Sequence, residues 1–133
     1  MRKDGAVPVV MYHSVGRLLA DWQWAPKLTI PKAVFEDHLK WLVKSGYRTV
    51  GLDELHAHVS GISALPARSV VLTFDDGYAD NWTYVTPLLK KYGLCGTILV
   101  LTDFVQADPV LRPTLEDVWA GRIKEEELDV RGF

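Results

Sequence analysis

Residues 70–77, Val-Val-Leu-Thr-Phe-Asp-Asp-Gly, set an apolar run rich in β-branched residues directly against two adjacent carboxylates and a glycine. A short run without polar alternation predicts a strand buried on both faces, as in a parallel sheet. The chain is therefore expected to build an α/β fold around it. In such folds chemistry collects where strands end at their carboxyl side. Two acids there are costly unless a cation or hydrogen-bond donors compensate them, and a metal ion does so economically. Consecutive strand side chains point to opposite faces, so Asp75 and Asp76 cannot share one task while the backbone stays extended. Gly77 allows a sharp turn just after them. One acid can then hold a metal ion while the other reaches toward a water bound to it. The alternative is that the pair caps the helix that follows, a position Asp suits well.

The rest of the chain supplies strands and helices in alternation. Val7 to Tyr12 reads as a first strand, with His13 where that strand meets its loop. His13 either lines the same mouth as Asp75 or is a hydrogen-bonded strand-end histidine. Ser14 to Leu28 reads as a loop carrying Trp22 and Trp24, which suit a ligand rim, a lid or core packing. Pro31 to Ser45 is the clearest helix, with Phe35, His38, Leu39 and Leu42 along one face and Gly46 ending it. His38 is expected to pack at the edge of that stripe. Tyr47 to Leu52 is a second strand, and Asp53 is placed to cap a short helix through Val59. On that helix His56 and His58 are about 200° apart, which prevents them from chelating one ion.

After the acid pair, Tyr78 to Asn81 forms a polar turn into a helix bearing Trp82, Val85, Leu88 and Leu89, with a late start or kink at Pro87. Gly96 to Leu101 is a fourth strand. Strand–helix units in this order argue for a parallel sheet with right-handed crossovers. From Thr102 onward Asp108-Pro109 and Arg112-Pro113 break the pattern. Leu115, Val118 and Trp119 share a helical face, and Lys124 to Asp129 is a charged run at a solvated helix end.

Totals narrow the function classes. With 133 residues, 48% hydrophobic and 24% charged, the chain fits one ordinary globular domain. A net charge of −2 without a basic cluster gives no reason to expect nucleic-acid binding. Cys95 is the single cysteine, so no internal disulfide forms, and its apolar neighbours suggest a buried thiol. No apolar stretch has the length of a transmembrane helix, and the start at Met1-Arg2-Lys3-Asp4-Gly5 does not resemble a signal peptide. As written, the sequence is expected to remain in the cytoplasm.

Thr73-Phe74-Asp75-Asp76-Gly77 resembles the first signature of the polysaccharide deacetylases, carbohydrate esterase family 4. Val9-Val10-Met11-Tyr12-His13, the helix from Phe35 into Ser45-Gly46-Tyr47, and Pro87 to Gly93 running into Thr97 to Val100 agree with it. The resemblance spans about Val7 to Leu101 and implies a distorted (β/α) barrel. It implies metal-dependent hydrolysis of a non-peptide C–N bond, the removal of N-acetyl groups from a poly- or oligosaccharide. It further implies Asp75 as the general base and Asp76 as a ligand of a divalent metal, with zinc the leading candidate. His13 and Tyr78 are the candidates for lining the substrate, and family members often act outside the cytoplasm.

Other parts of that family's pattern are missing. The family completes its metal site with a His-[Ser/Thr]-x-x-His motif, and His13, His38, His56 and His58 never occur at that separation. The later arginine-containing motif and the late general-acid histidine are also absent. One protein ligand is too few for a stable zinc site, and a full (β/α) barrel needs at least about 200 residues. The chain therefore reads as a single domain comprising the first half of a barrel, truncated on its C-terminal side and inactive on its own. Unpaired sheet edges would favour self-association or a covering partner. A non-catalytic carbohydrate-binding or assembly module on the same fold is the alternative. A phosphatase with an Asp nucleophile fits less well, because that chemistry calls for Asp-x-Asp rather than adjacent acids.

Overall fold

The apolar run forms the longest strand, β5 (Ser69–Asp76). The computed structural model describes residues 6–17, 28–105 and 113–127; Trp22, Trp24, the Asp108-Pro109 break and the last residues of the charged run lie outside them. Every strand beside β5 is parallel to it. β1 (Val9–Tyr12) takes one edge, with Val9 beside Val71 and Tyr12 beside Phe74. β4 (Arg48–Thr49) pairs with Ser69 and Val70, and β6 (Thr97–Val100) with Thr73 to Asp76. Thr73 is registered with both Met11 and Thr97, so β1 and β6 occupy opposite edges. Between the strands run α1 (Lys32–Lys44), α2 (Leu52–Val59) and α3 (Thr86–Tyr92), the alternation that a parallel sheet requires.

Partnered residues of parallel strands share a face, so Tyr12, Leu72, Phe74 and Ile98 look toward one side of the sheet. On that side Phe35, Leu39 and Leu42 of α1 and Leu88 and Leu89 of α3 close the core over Leu72 and Phe74. Tyr12 stacks on Phe74 at 5.5 Å, and Phe35 meets Phe74 edge-on at 5.8 Å. Glu36 accepts hydrogen bonds from Lys91 at 2.6 Å and from Tyr92 at 2.7 Å, which ties α1 to α3. His38 lies exposed at the edge of the stripe, with Nδ1 3.1 Å from the Tyr12 hydroxyl.

The structure corrects four local expectations. Ser14 to Leu28 is not one loop: β2 (Ser14–Gly16) pairs in parallel with β3 (Thr29–Pro31), strands too short to show a period in sequence. Asp53 is not the cap of α2; Gly51 holds that place, and its N–H donates to Glu54 Oε2 at 2.9 Å. Asp53 instead sits in the first turn, where the helix dipole favours an acid. Trp82 and Val85 do not belong to the α-helix with Leu88 and Leu89: residues Asn81–Val85 form a π-helical turn before α3 begins, and Trp82 is 73% exposed. Cys95 is exposed rather than buried: it precedes β6, and its N–H donates to Thr49 Oγ1 at 2.7 Å. No described helix is long and apolar enough to cross a membrane.

Candidate active site

β5 delivers its two carboxylates to the carboxyl edge of the sheet. From Val70 to Phe74 the strand is buried on both faces, as an unbroken apolar run demands. The extended conformation stops at Asp76, one residue earlier than the glycine alone would suggest. Asp76 has φ +71° and Gly77 has φ +71°, two consecutive left-handed residues. Asp tolerates that region better than most side chains, yet still at a cost of about 1 kcal/mol or more. Gly77 is doubly required, since a Cβ there would also lie 3.1 Å from Val100 Cγ1.

The two acids meet different surroundings. Asp75, still in extended register beside Leu99, has a buried Oδ1 with no hydrogen-bond partner among the described residues. A buried acceptor left unpaired costs about 1–3 kcal/mol. Asp76 Oδ2 lies 3.9 Å from His13 Nε2, and both side chains are partly exposed. His13 follows β1 directly, so the mouth shared by the ends of β1 and β5 brings together Asp75, Asp76 and His13. Neither carboxylate caps the π-helical turn that follows, which removes the capping alternative. Tyr78 is half-buried beside them. Burial raises its phenol above the ordinary tyrosine range, with the charges of Asp76 and Asp80 adding to the rise.

A buried polar cluster underlies this mouth, and sequence reasoning missed it. Asp80 accepts from Ser14 Oγ at 2.7 Å, from the Val15 N–H at 2.9 Å and from Asn81 Nδ2 at 3.0 Å. Asn81 Nδ2 also donates to the His13 carbonyl at 2.9 Å. Asp80 and Asn81 are each 1% exposed. Burial pushes the Asp80 carboxyl up to about 6 against the opposing pull of its three donors. The cluster bolts the turn after β5 to the start of β2 and so fixes the backbone of His13. The sole signal in sequence was the Asp-Asn pair inside a polar turn, which reads equally well as a solvated loop.

Chemically, the mouth offers one unpartnered carboxylate oxygen able to accept a proton and a carboxylate–imidazole pair able to bind a cation. Among the described residues no three His, Cys, Asp or Glu side chains converge closely enough to hold a metal ion. His38, His56 and His58 lie elsewhere; His56 and His58 belong to α2, and Leu65 N–H approaches His58 Nδ1 at 3.3 Å. The donor set present is thus two groups, Asp76 and His13, short of the three or four that zinc takes.

The chain is similar in sequence and fold to known proteins. The polysaccharide deacetylase family matches residues 63–124. YxkH of Bacillus subtilis, named for polysaccharide deacetylation, is 36% identical over 99 residues, which cover 74% of this chain and 33% of that protein. The poly-β-1,6-N-acetyl-D-glucosamine N-deacetylase of Escherichia coli K12 is 30% identical over 83 residues, covering 62% of this chain and 12% of that protein. This chain therefore spans about a third, or less, of these relatives. Among solved structures, a de-N-acetylase from Aggregatibacter actinomycetemcomitans superposes with a TM-score of 0.67 at 30% identity, over 82% of this chain and 43% of that one. The Streptococcus pyogenes deacetylase PplD gives 0.70 at 24% identity, over 87% of this chain and 51% of that one, and shares the fold. These neighbours are (β/α) barrels, and the present sheet corresponds to part of one.

Proposed function

We infer that the chain, which the polysaccharide deacetylase family matches over residues 63–124, belongs to that family, and from that premise we propose that it forms the amino-terminal part of a metal-dependent carbohydrate N-deacetylase. The observation that carries the reading is the buried Oδ1 of Asp75, without a partner among the described residues, at the carboxyl end of a parallel strand, next to an Asp76 whose carboxylate lies 3.9 Å from His13. In this reading Asp75 is the general base. It takes the proton from the water that attacks the N-acetyl carbonyl, which requires hydrogen-bond reach and an acceptor not already committed. Asp76 is a metal ligand, His13 stands beside it, and Tyr78 borders the substrate. A divalent metal, zinc first among them, would polarise the amide carbonyl when bound. The described residues supply two donors to such an ion, Asp76 and His13. The same shortfall supports the view that these 133 residues alone are inactive, and that the remaining donors come from other polypeptide.

The test uses the chain as it stands. Millimolar Zn²⁺ is expected to perturb the His13 imidazole resonances weakly, and Asp76→Ala is expected to abolish that response. Perturbation confined to His38, His56 and His58 would sink the assignment of Asp76. Acetate release from an N-acetylglucosamine oligomer by this chain alone would sink the half-site reading. A non-catalytic carbohydrate-binding or assembly module remains the second reading, favoured by the two-donor set; binding of the same oligomer unaffected by chelators distinguishes it.

A further inference from the structure

Past Gly16, β2 runs into an open cleft with two adjoining lobes of about 350 and 600 Å³. Arg17 and Tyr84 line both lobes, Lys32 belongs to the larger, and Trp119 and Arg122 belong to the smaller. The floor is aromatic. Trp119 covers Gly16 so closely that a Cβ there would lie 2.0 Å from its ring, and the Tyr84 ring stands 6.4 Å from Trp119. Lys32 Nζ sits 4.6 Å over the Tyr84 ring, which holds the ammonium at the mouth of the cleft.

The charges around the cleft differ in how far they are already committed. Arg122 is paired with Asp117 at 2.8 Å, and Glu116 accepts a hydrogen bond from Thr83. Arg17 and Lys32 have no acidic partner among the described residues. Two cations without an acidic partner among the described residues, beside apolar ring surface on a chain of net charge −2, are a local reversal of sign. A guanidinium fork matches a carboxylate or phosphate in two parallel hydrogen bonds, and the ammonium adds a second positive charge. With Lys32 over its face, Tyr84 is not a free stacking platform, so recognition here rests on charge. From His13 to Gly16 is three residues of chain, roughly 10 Å at strand rise. A polymer passing the Asp76–His13 mouth can therefore reach the cleft a few sugar rings away.

We propose that this cleft binds an anionic group, a carboxylate or phosphate, carried on the polysaccharide that presents its N-acetyl group to Asp75. The polysaccharide carrier rests on the deacetylase reading; the cation pair does not. The 133-residue chain would be titrated with hyaluronan tetrasaccharide, with neutral chitotetraose and with inorganic phosphate, by calorimetry and amide chemical shifts. Hyaluronan tetrasaccharide is expected to bind roughly tenfold more tightly than chitotetraose at low salt, with the advantage lost at about 0.5 M salt as screening sets in. The exposed double variant Arg17→Gln/Lys32→Gln, and to a lesser extent Lys32→Gln alone, should erase the advantage, while Asp75→Asn should leave it. Equal binding of the two tetrasaccharides overturns the proposal, as does a preference that survives the double variant. Phosphate bound through Arg17 and Lys32 with hyaluronan ignored overturns the polysaccharide as carrier. Because the His13 response to Zn²⁺ involves neither cation, each reading can fail without the other.

Discussion

The first and last residues of β5 follow opposite rules. From Val70 to Phe74 no residue is more than 6% exposed and each is laddered to a parallel neighbour. The next residue, Asp75, carries a buried oxygen without a partner among the described residues, and Asp76 and Gly77 after it are successive left-handed residues. The difference shows what the apolar part is for. Its packing against α1 and α3 supplies the rigidity that keeps an unfavourable arrangement of carboxylates in place, the usual relation between a strained site and its scaffold.

Mutations at the two ends should separate accordingly. Phe74→Ala, in the packed part, removes the ring that meets both Tyr12 and Phe35 and should cost about 3–5 kcal/mol in urea unfolding. A loss under 1 kcal/mol would mean that the core is not centred on β5. Asp80, which anchors the acid end, should impose a pH slope. Its folded-state pKa of about 6 lies above the ordinary 3.8, so the folded state binds more protons between these values. Its contribution is present below pH 3.8 and is lost as pH rises through about 6. The loss is on the order of 3 kcal/mol for about two pKa units. Stability measured from pH 4 to 7 should fall relative to Asp80→Asn; parallel curves would show that Asp80 ionises as freely folded as unfolded.

Gly77→Ala forces a side chain into a left-handed position 3.1 Å from Val100 Cγ1 and should cost about 1–3 kcal/mol. A neutral result would place the turn elsewhere. Asp75→Asn should have the smallest effect and the opposite sign, a gain of about 1 kcal/mol, because a neutral amide removes the charge shared by a buried oxygen that has no partner among the described residues. Thermal unfolding of this variant decides whether the acid end is strained: a clear loss of stability would show that Asp75 is held by contacts that favour its charge.

Much of this was legible in the sequence because it depends on local rules. The apolar run, the helical stripe of Phe35, Leu39 and Leu42, and the acid–acid–glycine ending are patterns of period and position, and they dictated the parallel sheet and the candidate site before any coordinates. The exposure of Cys95 was not legible, because it depends on which strand flank stays open, and the residues next to it do not set that. What tertiary structure alone decided is the approach of His13 to Asp76, the burial of Asp80 and Asn81 against Ser14 and Val15, and the meeting of Arg17 with Lys32 across the Tyr84 cleft. The residues in the first two of these sets lie more than sixty positions apart, and Arg17 and Lys32 follow directly on Gly16 and Pro31, the last partners of the β2–β3 pairing. A local period carries no information about them; they become neighbours when β1 is paired with β5 and β2 with β3.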